Sequence, residues 1–432
     1  MLNGMILNKS NEQTFLGNVL TLFSGKAAAS VISFILIPFI ARFFTAEDFG
    51  VAAYFISSIA ISVPVATLCY ERAIILPKET HGAEQLFQLS LLILVIASLA
   101  AFVFIATLSV FQIEISALDK LGIWIWFLPA GLLAVGIINI VENWLVRVKG
   151  FSIIAKADVT NSLGLTLSRL LLGFFFSSSV WALIVGYFVG LSLKVYMLLT
   201  SVLSPKINML KLQKHGLIKA AKEYEDFPKF SAPTRFVRAF SKNMPIILLG
   251  AFFSPATVGL YAMANRVVNM PVDIAVTAFR RAYLQKSAEC LNHGQALIGN
   301  MLKYSLIMFV VGLVPFGLLW LKGGLLIGYY LGGSWADAGQ YVEALTPYLF
   351  TVWVATPTTA LVVVLRKQKL WFWIQLYITL AVLVMFLYSA NSGLSPIETV
   401  QNFVSSYVVA NIISIMIIGI VVFNNDRHMV SK

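Results

Sequence analysis

The chain alternates between apolar blocks of about 20 residues or more and short polar breaks. The block "LFQLSLLILVIASLAAFVFIATLSVF" at 86–111 runs 26 positions without a charged residue. At ~1.5 Å rise per residue such blocks match a bilayer core of ~30 Å. A transmembrane barrel would show ten-residue segments of alternating hydrophobicity, and the blocks show none. Twelve helical spans are expected: 15–41, 49–70, 86–110, 122–146, 153–175, 180–203, 231–252, 258–280, 300–321, 341–365, 370–389 and 400–423. The first follows a polar leader of 14 residues and is too long for a signal-peptide core, so it reads as a span of the mature protein. The expected fold class is an all-α polytopic membrane protein.

The breaks carry a repeat. "FFTAEDFG" at 43–50 returns as "FFSPATVG" at 252–259, an offset of 209 residues. Extended without gaps to 43–73 against 252–282, eight of 31 positions agree, among them Gly50 with Gly259 and Arg72 with Arg281. At the same offset Lys26 falls on Arg235. An even number of spans per repeat gives two copies in the same membrane orientation, related about an axis along the membrane normal. The expected organisation is a six-helix lobe at 1–203, a basic cytoplasmic linker at 204–230 and a second six-helix lobe at 231–432.

Composition agrees with this pattern. Apolar residues make up 59% and charged residues 12% of the chain, with mean hydropathy +0.86; a soluble domain has about 25% charged residues. The net charge of +12 would suit a nucleic-acid partner, but its distribution gives another reading. Of 31 Lys and Arg, three fall in outer loops (Arg42, Lys120, Lys322), seven fall well inside spans, and 21 fall in inner segments or, as Lys156, Arg280 and Lys303 do, at the inner ends of spans, if the N-terminus is cytoplasmic. That asymmetry is a positive-inside signal and puts both termini in the cytoplasm. No nucleic acid is required. His81, His215, His293 and His428 lie outside the apolar blocks without ligand spacing, and Cys69 and Cys290 imply neither disulfide nor metal. With no phosphate loop, nucleophile elbow or paired carboxylates, nothing suggests an enzyme, a metal or a cofactor.

The seven intramembrane cations are Lys26, Arg169, Lys194, Arg235, Arg238, Lys242 and Arg266. Each costs ~2.5–3.5 kcal/mol at a helix centre facing lipid, so most must pair, snorkel or face water. Arg235, Arg238 and Lys242 share one face of span 7 at i, i+3, i+7, and Arg266, Asn269 and Asp273 repeat that spacing on span 8. With Lys26 on span 1, they define the expected substrate-binding lining: Lys26, Arg235, Arg238, Lys242, Arg266 and Asn269. Asp273 is the ion-coupling candidate, with charge balance as its other reading. Snorkelling is open to Arg235 and is the expectation for Lys194. Arg169 is expected to find a partner on another span, and Glu142, Arg147, Lys156 and Asp158 to form a structural ion network. Gly186 and Gly190 suggest helix packing. Cations in excess of acids select for an anion with polar bulk; a cation exporter would want the opposite sign.

The turn "ARFFTAEDFGVAAYF", the exit "YERAIILPK", and the stretches "LGGSWADAGQYVEALTPYLF" (331–350) and "PTTALVVVLRKQK" (357–369) resemble bacterial polysaccharide flippases of the Wzx type, within the multidrug/oligosaccharidyl-lipid/polysaccharide (MOP) exporter superfamily. The resemblance implies flipping of undecaprenyl-pyrophosphate-linked oligosaccharide, by alternating access between two lobes, from the cytoplasmic to the periplasmic leaflet of the bacterial inner membrane. The partners it implies are that lipid-linked substrate, membrane lipids and other polysaccharide-assembly proteins. A cation-coupled multidrug exporter of the same fold and a non-transporting assembly scaffold are the alternatives.

Overall fold

The structure is a computed structural model that describes residues 25, 27–112, 120–176, 179–202 and 214–430. Among these residues the chain is helical throughout, with no strand. The helices are α1 (Ala27–Ala41), α2 (Ala46–Ala66), α3 (Thr80–Val110), α4 (Leu128–Arg147), α5 (Phe151–Phe176), α6 (Val180–Val202), α7 (Lys214–Glu223), α8 (Ala232–Phe252), α9 (Pro255–Asn292), α10 (Leu297–Leu331), α11 (Ala338–Val354), α12 (Thr356–Val364), α13 (Gln368–Asn391) and α14 (Pro396–Val430). Each expected span has its helix, the tenth as the pair α11 and α12 bent by 43°. Among the described residues eight helices are long and apolar enough to cross a bilayer, nine with the bent pair. Of the first span only Ala27–Ala41 and Gly25 are described, and α8 and α9 are diluted by the cations that mark them in the sequence. Large apolar side chains such as Phe102, Val110, Phe174, Leu321 and Tyr329 stand exposed on helix surfaces, as lipid-facing residues do.

The recurring turn is a helix start. Thr45 caps α2 through its side chain, with Asp48 returning the bond to the Thr45 backbone N–H, and Ser254 caps α9 in the same extended conformation by accepting from Thr257. These two caps lie at the repeat offset, and Gly50 and Gly259 each follow their cap by five residues. Short polar residues at these positions hold N–H groups that have no intrahelical acceptor.

Contacts divide the chain into two compact units, 1–251 and 252–432. In the first, Gly186 and Gly190 on α6 lie against Arg169, Ser168, Leu165 and Asn161 of α5, so the glycine pair serves helix packing as its spacing suggests. α8 packs on α2 where Gly250 meets the Tyr54 ring. In the second unit, α10 and α11 cross where Gly339 approaches the backbone of Gly323 and Gly324. Lys322, expected in an outer loop, instead sits at a non-helical kink inside α10, which continues to Leu331. The break frees the Gly324 N–H, and Glu343 of α11 accepts it at 2.9 Å. Asp426, buried near the end of α14, takes two N–H groups at the start of α10, Leu297 and Ile298, each at 2.8 Å. It caps that helix from 128 residues away.

Candidate functional site

In the first unit the cation stripe is carried on α8. That helix has no acidic residue, and a π-helical turn, Phe227–Ser231, leads into it. Arg238 and Lys242 are exposed and Arg235 is half-buried. About a third of a turn round the helix from Arg235, Phe236 and Phe240 stack with centroids 6.2 Å apart, so an aromatic face lies apart from the basic one. Arg235 Nη1 lies 3.9 Å from Glu71 Oε1. Glu71 belongs to the 3-10 segment Tyr70–Ile75 that follows α2, and it is 2% exposed. Arg235, half-buried and paired, does not rely on snorkelling alone.

The chain reaches Glu71 through Leu68 (φ 49°) and Cys69 (φ 59°), two consecutive non-glycine residues in the left-handed region. Such backbone costs ~1–3 kcal/mol per residue and persists only where surrounding contacts enforce it. Those contacts are visible. Arg147, at the end of α4, donates Nη1 to the carbonyls of Ile74, Ile75 and Pro77 (3.2, 3.4 and 2.6 Å) and Nη2 to those of Lys78 and Glu79 (3.4 and 3.2 Å). Tyr70 donates its hydroxyl to the Ala221 carbonyl of α7 at 3.0 Å. Burial pushes the Cys69 thiol up to about 11, Glu71 adding to the effect, so the thiol stays protonated. Burial also raises the Glu71 carboxyl, with hydrogen bonds and Arg235 pulling the other way. For Arg72, burial and then the like charge of Arg235 act downward, with Arg238 a further like charge.

Deeper in the same unit, Lys194 corrects its expectation. It does not snorkel: its ammonium bridges Glu142 (2.7 Å) and Asp158 (2.6 Å), joining α4, α5 and α6. The expected ion network therefore exists with different membership. Glu142 and Asp158 belong to it, Lys194 replaces Lys156 at its centre, and Arg147 is engaged by carbonyls instead. Arg169, 3% exposed, finds its partner on the next helix, donating Nε and Nη2 to the Leu183 carbonyl at 3.1 and 3.0 Å.

In the second unit, Arg266 is half-buried with Tyr330 as its ionisable neighbour. Asn269 donates to the Asn265 carbonyl of its own helix at 2.9 Å, and Asp273 is exposed with Tyr348 nearby. Tyr348 and Tyr407 lie ring to ring at 4.7 Å. The spacing 266, 269, 273 did place these groups along one helix, whereas the tyrosines come from α10, α11 and α14 and had no local signal. Lys26 lies outside the described residues. Among the described residues no three His, Cys, Asp or Glu side chains gather as a metal site.

Long apolar helices with exposed apolar side chains define a polytopic membrane protein, and one of its helices, α8, carries cations and no acid. Residues 39–340 match the family model described as "Polysaccharide biosynthesis protein", and the chain belongs to that family. Its fold is that of MOP-superfamily proteins. It is similar to the lipid II flippase MurJ in an inward closed conformation (TM-score 0.71, 10% identity, 95% of this chain and 90% of that one). It is also similar to a multidrug resistance MATE family transporter of the MOP superfamily, inward-facing (TM-score 0.65, 13% identity, 94% of each chain) and outward-facing (0.58, 12%, 96% and 95%). No curated protein sequence matches the chain. The family and fold agree with the resemblance carried by the turn and exit motifs.

Proposed function

We propose that the protein is a flippase for undecaprenyl-pyrophosphate-linked oligosaccharide, moving it from the cytoplasmic to the periplasmic leaflet with access alternating between the membrane faces. It would act without catalytic chemistry, in the bacterial inner membrane, with both termini cytoplasmic and with lobes 1–203 and 231–432 joined by the basic linker. The observation that carries this reading is α8: three cations, no acid and one basic face, in a member of a polysaccharide biosynthesis family. Pyrophosphate carries several negative charges, and Arg offers phosphate a planar fork while Lys offers a compact point charge. Over i, i+3, i+7 these donors span ~10 Å along the helix. Lys26 on the first span is a further proposed substrate contact, and Arg266 and Asn269 are the proposed contacts of the second unit.

The test is export with unchanged membrane levels. Arg238→Ala combined with Lys242→Ala should abolish polysaccharide export, and Arg238→Lys should keep part of it. Wild-type export by the double variant would remove these cations from substrate handling. The second reading, a cation-coupled exporter of small molecules, is favoured by the likeness to MATE transporters and by exposed Asp273. Proteoliposomes loaded in parallel with fluorescent lipid-linked oligosaccharide and with cationic dyes separate the two. An Asp273→Asn variant with unchanged pH and sodium dependence would leave Asp273 to charge balance.

A further inference from the structure

We propose that a cavity where α9, α12 and α14 meet binds an anionic phospholipid, its phosphate on Arg366 and an acyl chain along Leu291, Val364 and Leu365. The proposal does not depend on the flippase reading, since it concerns a lipid held at the edge of the second unit and not one carried across the membrane.

The cavity holds about 400 Å³, within the ~300–1,000 Å³ range of ligand pockets. Ala288 and Leu291 come from the end of α9, Val364, Leu365 and Arg366 from the end of α12, and Asn425 from α14. The first two helices close in the same way. At α9, Gly294 (φ 67°) donates its N–H to the Leu291 carbonyl and Gln295 to that of Cys290. At α12, Arg366 (φ 55°) donates to Val363 and Lys367 to Val362. This closure puts one residue in the left-handed region, where glycine is the relaxed choice. α9 uses glycine there. α12 uses arginine, which accepts backbone strain and places a guanidinium on the cavity wall.

That guanidinium is exposed, and no carboxylate pairs with it among the described residues. The acids closest in sequence to the lining are engaged elsewhere. Asp426 accepts the N–H groups of Leu297 and Ile298, and Glu289 accepts from Gln285. Lys367, Lys369 and Arg427 add cations in the adjoining sequence. Asn425 has its Nδ2 buried without an acceptor, so a ligand oxygen reaching it would satisfy an unmet donor. Charge therefore selects an anion, and the walls select what is attached to it. Leu291, Val364 and Leu365 are apolar and half-buried, and Val363 and Phe423 beside the lining are exposed as lipid-facing residues are. Ends of membrane helices lie near the depth of the lipid phosphates, and basic pockets between such helices take anionic head groups. A free phosphate would leave the apolar wall uncovered.

Native mass spectrometry of the full chain in detergent tests this, with titrations of phosphatidylglycerol, phosphatidylcholine and inorganic phosphate. Wild type should hold its first phosphatidylglycerol about tenfold more tightly than phosphatidylcholine, the scale of one charge-assisted hydrogen bond. Arg366→Gly relaxes the left-handed position while removing the guanidinium, so it should keep the wild-type thermal midpoint and lose the preference. Leu291→Trp fills the apolar wall and leaves the charge, so it should weaken both lipids. A tenfold preference that survives in Arg366→Gly overturns the proposal, as does equal binding of the two lipids by wild type. Unchanged affinities in Leu291→Trp overturn it too. Inorganic phosphate that displaces phosphatidylglycerol at equal concentration would identify a free-anion site and defeat the lipid. If Arg366→Gly does not fold, Arg366→Gln replaces it with the same reading.

Discussion

Replacing Lys194 by methionine keeps the length of the side chain and removes its charge. In wild type the ammonium lies 2.7 Å from Glu142 and 2.6 Å from Asp158, with side chains 10%, 23% and 13% exposed. At an effective dielectric of about 20, each pair is worth about 6 kcal/mol of attraction. Desolvating each ion costs several kcal/mol, so most of that attraction is offset. Deleting the cation alone leaves the penalty without the compensation: two carboxylates remain in a poorly hydrated site and repel each other. The expected loss is therefore about 3–5 kcal/mol, read as a lower thermal midpoint of the detergent-solubilised protein by fluorescence-detected size exclusion. Adding Glu142→Gln and Asp158→Asn to Lys194→Met should recover most of it, since neutral amides tolerate burial better than unpaired carboxylates. A Lys194→Met protein as stable as wild type would show that the ammonium resides at a water interface and that the bridge contributes nothing.

Arg147→Lys should weaken the clamp on 74–79, because three ammonium donors cannot span five carbonyls; a loss of about 2 kcal/mol is expected, seen as faster hydrogen exchange confined to that segment. Gly339→Val forces a side chain into the backbone of Gly324, and a destabilisation of about 3 kcal/mol should follow in thermal unfolding. Glu71 gives a pH signature. Its folded carboxyl is raised by burial, so the native state holds the proton more tightly than the unfolded chain and stability falls as pH rises from the ordinary carboxylate value through the raised one. Glu71→Gln should therefore gain stability over wild type at neutral pH and lose that advantage near pH 4; an equal difference at both ends would contradict it.

Membrane character, span positions and the two cap turns were legible because each is local. Apolar block length is set by bilayer thickness, and a helix start needs a short polar residue with its partner three positions on, as in Thr45 with Asp48. The basic face of α8 was also legible, since i, i+3, i+7 spacing places side chains on one side of any helix. The partners of the charges were not. Lys194 reads as a snorkelling lysine near a helix end until α4 and α5 bring Glu142 and Asp158 against it from 52 and 36 residues away. Glu71 and Arg72 read as an ordinary helix exit until Leu68 and Cys69 turn the backbone and α8 delivers Arg235 from 164 residues beyond Glu71. Likewise the kink at Lys322 showed only as a charge ending an apolar run, because the Glu343 carboxylate that makes the break tolerable comes from another helix. A burial cost is written in one residue, but its compensation lies wherever packing puts the opposite charge, and packing is decided by the tertiary structure.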